Sequence, residues 1–402
     1  MNTKRSLVPF FCIVVIFNMA ASFAHPVTPT LIVERGLDSS MFGVALAAMM
    51  TANFLFSPLW GKLCGYMPTK RIMLICGVGY AIGQAIFGAA QTELQVVGGR
   101  MFAGIFTGGM FTAFSNYVIN TTPDLKQRGQ NLTITVTIQN VAGAMGYFVG
   151  GMLGLISVEA SFIAQVITLA SAGLLFFFIC MDDTPFKHKP EKALTLKEAN
   201  PFAAFGAAKN FMTPMLALIF LIVAVGGIGQ NSFEQVFNYY IKDQFGLSSA
   251  YNGIFKAAIA VVSLVANSTI CLYLIRKTNI NLTFLPIMVG STIALGAILF
   301  FDTLVPFVIV DITFFAFNAV RLPLLQNISA SMSTPETSNS IMGFYQSMNS
   351  LGGIFGALFA GLIYDFNPLY PFMLAFAAFV VATAVSFIYV GKYKAAHKQE
   401  AK

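Results

Sequence analysis

Hydrophobic positions along this chain neither alternate with a strand's period of two nor keep to the single stripe of a surface helix. They gather into runs of about twenty residues separated by short polar breaks. At about 1.5 Å per residue, one such run crosses the ~30 Å hydrocarbon layer as a single α-helix. Twelve runs are read, at Leu7–Thr30, Met41–Gly61, Arg71–Ala90, Val96–Asn120, Asn131–Leu155, Glu159–Cys180, Phe211–Tyr240, Ala250–Leu274, Leu282–Phe301, Leu304–Asn327, Ile341–Tyr364 and Pro371–Gly391. Lipid supplies no hydrogen bonds, so each run must satisfy its own backbone, and an all-α membrane bundle follows.

Composition agrees with this reading. Hydrophobic residues make up 57% of the 402 and charged residues only 10%, too few to cover a water-facing body of this size. The net charge of +7 reflects where the cations lie and is not a nucleic-acid patch. Of 23 Lys and Arg, 18 fall in the loops on the side of the N-terminus, Arg35 and Lys242 on the other side, and Arg100, Lys256 and Arg321 inside runs. That asymmetry places both termini in the cytoplasm. Lys4 and Arg5 precede the first run, and Ser22-Phe23-Ala24 resembles a signal-peptidase site. The run nevertheless continues past Pro26 and Pro29 and carries a polar stripe, so it reads as an uncleaved first span. The five cysteines show no disulfide or zinc spacing and read as small packing residues.

The longest loop, 181–210, divides the chain into six-span sets at 1–180 and 211–402, and its stretch Leu194–Lys209 is expected to form an amphipathic surface helix. Gly143, Gly146 and Gly151 repeat the spacing of Gly353, Gly356 and Gly361 at an offset of 210. Two pseudo-symmetric six-helix bundles are therefore expected, with a site between them near the bilayer midplane.

Charge within a span costs about 2.5–3.5 kcal/mol, so embedded ionisable residues are the first functional candidates. Asp311 lies about 10 Å into its span and is the first choice for binding and releasing a proton; a structural ion pair with Lys256 or Arg321 is the competing reading. Glu234 shares a helix face with Gly227, Asn231 and Asn238, unless its span ends earlier. The first span repeats the device with Asn18, Ser22 and His25, although a lone His beside Pro26 also suits an interface. Lys256 is placed to pair with either acid. Asn140, Gln346 and Asn349 complete the candidate cavity, with Phe314, Phe315 and Phe317 as candidates for its apolar wall. Arg100, about 6 Å deep, and Arg321, near a span end, both have the reach to snorkel.

The loop Gly61-Lys62-Leu63-Cys64-Gly65-Tyr66-Met67-Pro68-Thr69-Lys70-Arg71 keeps the glycine, leucine and basic pair of the pattern G-x-L-(A/G)-D-x-x-G-R-(K/R). Arg100 is followed by Gly104, Gly108 and Gly109, and Ala142, Gly146, Tyr147, Gly150 and Gly151 follow a pattern G-x-x-x-G-P-x-x-G-G without its proline. By these residues the chain resembles the major facilitator superfamily and, within it, the twelve-helix drug–proton antiporter branch. The resemblance implies alternating access in a bacterial plasma membrane. It implies a role for Arg100 in proton coupling and for Gly61, Lys70, Arg71, Gly146, Gly150 and Gly151 in the conformational gate. Three functions stay open: a monomeric proton-coupled exporter of small amphipathic or drug-like molecules, an importer of a small organic anion, and a non-transporting receptor. No nucleotide loop, metal cluster or nucleophile–base arrangement is present, so neither a cofactor nor an enzymatic activity is expected.

Overall fold

The computed structural model describes residues 7–38, 41–186, 195, 200–246, 249–364 and 366–400. Among these the chain is a helical bundle. The first run is α1 (Val8–Ser22) and α2 (Thr28–Glu34). There follow α3 (Met41–Tyr66), α4 (Thr69–Ala89), α5 (Glu93–Thr121), α6 (Leu125–Gly154) and α7 (Val158–Ile179). After a short α8 (Pro201–Gly206) come α9 (Pro214–Phe245), α10 (Ser249–Ala266), α11 (Leu272–Lys277), α12 (Ile280–Ile298), α13 (Leu304–Ser331), α14 (Ser338–Tyr364) and α15 (Tyr370–Glu400). Among the described residues eleven stretches are long and apolar enough to cross a membrane, and α1 with its continuation supplies the twelfth. On α7, Ile163, Ile167, Leu174 and Phe178 form one exposed apolar face while Phe162, Leu169 and Phe176 are buried. That is the signature of a helix with lipid on one side and protein on the other.

Helix starts are set by short polar side chains accepting from orphan backbone N–H groups: Thr92 from Gln95, Asp124 from Gln127, Ser157 from Ala160 and Thr213 from Leu216. The left-handed Gly246 (φ 65°) ends α9.

Three elements differ from the sequence expectation. The first run is not one helix. Pro26 has no N–H to offer the Ser22 carbonyl, and α1 breaks at 23–27; the Gln165 amide covers the Ala20 and Ala21 carbonyls at 3.1 and 2.9 Å. The eighth run contains a π-turn, Asn267–Cys271, between α10 and α11. Among the described residues the linker helix is α8 with a 3-10 turn at Ala207–Asn210; the rest of Leu194–Lys209 lies largely outside the described residues. Phe205 of α8 does not lie out on a surface. Its ring stands 5.0 Å from Phe54 of α3 and 5.2 Å from Phe344 of α14.

Close helix contacts follow the internal repeat. A Cβ on Gly146 would lie 2.7 Å from the Met19 carbonyl carbon, and one on Gly150 would lie 2.6 Å from that of Phe23, so α6 rests on the backbone of α1. The repeat-related Gly356 brings α14 onto α9, where a Cβ would lie 2.6 Å from the Ile228 carbonyl oxygen.

With an even number of crossings, α1 begins and α15 ends at one end of the bundle, here termed the terminal end. Hydrogen bonds between the first six spans and the last six, among the described residues, all fall in the half nearest that end. Asn116 donates to the Asn339 carbonyl (3.2 Å), Gln326 to Ser115 (2.7 Å), Asn327 to the Gly129 carbonyl (3.2 Å), Arg276 to Gln130 (2.9 Å) and Ser347 to the Phe54 carbonyl (2.7 Å).

Candidate functional site

Beyond that sealed region a cavity of about 390 Å³ lies between the two sets of spans. The break in the first run brings Ser22 and His25 to its wall. α6 contributes Gln139, Asn140 and Tyr147, and α9 contributes Gln230, Glu234 and Gln235. Lys256, Ile259 and Ser263 enter from α10, and Phe315, Asn318 and Leu322 from α13. Most of these side chains are polar, which in a membrane interior is retained only where water or a ligand enters.

Glu234 lies well inside α9, which runs on to Phe245, so it belongs to the span and not to a loop. A continuous polar chain leads away from it. The Gln230 amide donates to Glu234 Oε1 at 2.9 Å, and Gln230 Oε1 accepts from Arg321 Nη2 at 2.8 Å. Arg321 Nε donates to Asn318 Oδ1 at 2.9 Å, and the guanidinium lies 5.2 Å from the Phe379 ring centroid. The snorkelling expected of Arg321 does not occur. It is among the most fully buried large side chains, because Gln230, Asn318 and the Phe379 face satisfy it in place. Gln230 and Asn318 went unnoticed in the sequence, although Gln230 sits one turn from Glu234 and Asn318 one turn from Arg321.

Asp311 is fully buried, and neither carboxylate oxygen has a hydrogen-bond partner among the described residues. It forms no ion pair with Lys256 or Arg321 there. It also does not line the cavity. Phe315, one turn along the same face of α13, is the wall residue. Of the two embedded acids, Glu234 is thus at the cavity, whereas Asp311 is one turn behind its wall.

Arg100 is buried, not snorkelled. Its guanidinium stacks 4.0 Å from the Phe87 ring centroid, and Nη1 approaches Met49 Sδ at 3.6 Å. Neither acid is among its described contacts.

Other expected cavity residues are divided. Ser22, His25, Asn140 and Lys256 line it. Asn18 and Asn231 do not: each turns its amide back onto its own helix, to the Val14 and Gly227 carbonyls at 2.8 and 2.9 Å. Gln346 and Asn349 are also off the lining, the Asn349 carbonyl packing at Gly227 where α14 crosses α9. The side chain of Asn238 lies outside the described residues. Of the phenylalanines, Phe314 packs in the core 4.9 Å from Phe233, and Phe317 covers Gly290.

Among the gate candidates, Gly61 sits at the seam between the sets, where a Cβ would lie 2.6 Å from the Asn339 carbonyl and 2.9 Å from Gly343 Cα. Lys70 instead lies 5.5 Å over the Phe177 ring of α7, and Arg71 is exposed. Gly146 and Gly150 weld α6 to α1 within the first set, and Gly151 meets nothing closer than Pro26 at 4.0 Å. Five of the six thus lie away from the seam. What fastens the loop before α4 is the buried Asp183, just past α7. It accepts from the Thr69 backbone N–H (2.8 Å), the Thr69 hydroxyl and the Asn120 amide (2.8 Å).

Comparison with known proteins fits this architecture. The family model described as Major Facilitator Superfamily matches residues 10–320. The chain is 22% identical to "Multidrug resistance protein 2" of Bacillus subtilis, over 92% of this chain and 90% of that protein. It is 24% identical to "Tetracycline resistance protein, class C" of Escherichia coli, over 90% and 91%. A solved human organic anion transporter, TETRAN, superposes with a TM-score of 0.77 at 17% identity, covering 97% of this chain and 99% of that one.

Proposed function

The chain belongs to the Major Facilitator Superfamily, and on that footing we propose that it exports small drug-like solutes in exchange for protons by alternating access. The observation that carries this reading is the cavity between the two sets of spans, closed at the terminal end and walled by ionisable groups. In this reading the sets 1–180 and 211–402 rock about the cavity, with 181–210 as the link and both termini in the cytoplasm of a bacterial cell. The structure is then the state closed towards the cytoplasm.

Glu234 exchanges protons with the cavity. A proton arriving on its carboxylate competes with the Gln230 amide, and Gln230 passes the change to Arg321, so cavity protonation is felt in the packed centre of the second set. Asp311, carrying no compensating hydrogen bond, is the second proton site. It becomes accessible when Phe315 moves. Similarity to multidrug and tetracycline resistance proteins supports export.

Carriage of an organic anion is the second reading, favoured by Lys256 at the cavity and by the likeness to the organic anion transporter. Uptake of a labelled fluoroquinolone into everted membrane vesicles under an imposed proton gradient tests the proposal. Asp311→Asn is expected to abolish gradient-driven accumulation while leaving downhill exchange. Accumulation that persists in a proton uncoupler would overturn proton coupling.

A further inference from the structure

Lys256 and Glu234 face the same cavity with opposite charge, yet neither is paired with the other. No ion pair joins them, and Lys256 and the His25 ring have no hydrogen-bond partner among the described residues. Glu234 has one oxygen held by Gln230 and the other unengaged. Lys256 comes from α10 and Glu234 from α9, each held by its own helix. An ammonium and a carboxylate on one cavity wall, neither neutralised by the other, each present a charge that a ligand can complete. Their joint retention points to a third body that completes both. The same wall offers amide and hydroxyl groups from Gln139, Asn140, Tyr147 and Asn318, and the volume lies at the small end of ligand cavities. A lipophilic cation would engage Glu234 but bury Lys256 against apolar surface. A simple anion would leave the reverse mismatch.

We infer that the cargo is a compact zwitterion with further hydrogen-bonding groups, its carboxylate held by Lys256 and its cationic centre by Glu234. This rests on the transport reading above and narrows its substrate class. Norfloxacin, which carries a carboxylate and a piperazinium, serves as the probe. Its ethyl ester keeps only the cation, its N-acetyl derivative keeps only the anion, and tetraphenylphosphonium is a lipophilic cation.

Binding is read by titration calorimetry on the full chain in nanodiscs at fixed neutral pH. Norfloxacin is expected to bind at least about tenfold more tightly than any of the three others. Lys256→Gln should erase its advantage over the ester, and Glu234→Gln its advantage over the N-acetyl derivative. Lys256→Arg should preserve the preference, which separates charge recognition from a folding defect. Equal or tighter binding of the ester or of tetraphenylphosphonium overturns the inference. So does an unchanged preference in Lys256→Gln, or no binding of any probe. Gradient-driven uptake of tetraphenylphosphonium without zwitterion preference would leave the export reading standing and remove this one. Zwitterion binding without gradient-driven uptake would do the opposite.

Discussion

A single methyl group at Gly61 tests whether the seam between α3 and α14 governs the conformational equilibrium. The added Cβ in Gly61→Ala would meet the Asn339 carbonyl oxygen at 2.6 Å and Gly343 Cα at 2.9 Å. Both are backbone atoms and have no rotamer to swing aside. Ordinary contact begins at 3.4 Å, so the two helices must part by about 0.8 Å, enough to forfeit much of the local dispersion energy. Overpacking of this kind costs about 1–3 kcal/mol. The penalty falls on the state closed at the terminal end, because the clash exists only while α3 and α14 touch there. The ratio of closed to open states should therefore fall by about 5- to 150-fold. Gly65, one turn along on the same helix, supplies the control: its Cβ would meet only the Asn339 side-chain amide, at 3.9 Å. Spin labels at the exposed Leu125 and Tyr273, on the first and second sets, would report the separation by pulsed electron resonance. A distance distribution for Gly61→Ala indistinguishable from Gly65→Ala and the parent would refute the reasoning.

Three further outcomes follow from the same geometry. Arg321→Met removes two charge-assisted hydrogen bonds of about 1.5–3 kcal/mol each and recovers about 2.5–3.5 kcal/mol of burial cost, a net loss centred near about 1.5 kcal/mol within a span of about −0.5 to 3.5 kcal/mol. The unfolding midpoint in detergent should drop, and binding at Glu234 should weaken with it. Asp183→Ala strands the Thr69 N–H and the Asn120 amide at about 1–3 kcal/mol each, so faster proteolysis within 181–210 is expected; Asp183→Asn, which keeps one acceptor, should fall between. Phe205→Ala withdraws the ring wedged between Phe54 and Phe344 and should move the spin-label distances in the same direction as Gly61→Ala, by a smaller amount.

The bundle was legible because lipid imposes length and polarity on every span. Glu234, His25 and Lys256 were legible for the same reason: a titratable group in an apolar run stands out. What was not legible is direction around and along the helix. Asn18 and Asn231 match the helical spacing of their stripes, but an amide satisfied by its own i−4 carbonyl needs no cavity, and the sequence does not say which choice it makes. Arg321 looked like a snorkelling residue because its partners arrive from α9 and α15, more than eighty and more than fifty residues away in the chain. The glycines of α6 announced close approach without saying to what. The structure answers with the first run, inside one set, which is the close packing that small residues in a span permit.

The π-turn in the eighth run has an evolutionary and engineering consequence. Ser263 at the cavity, Asn267, Cys271 against Thr133 and Ile275 beside Gly129 recur every four residues. An ordinary α-helix would let such a row drift by about 40° per step, whereas the wider turn holds it in line. One residue is in effect inserted there. Deleting one residue there would return the turn to an α-helix and keep Arg276 facing Gln130, whereas a deletion elsewhere in the span would rotate everything beyond by about 100° and leave hydropathy unchanged. Single-residue gaps in this span therefore belong at 267–271, and helix-shuffling chimeras should take their junctions elsewhere.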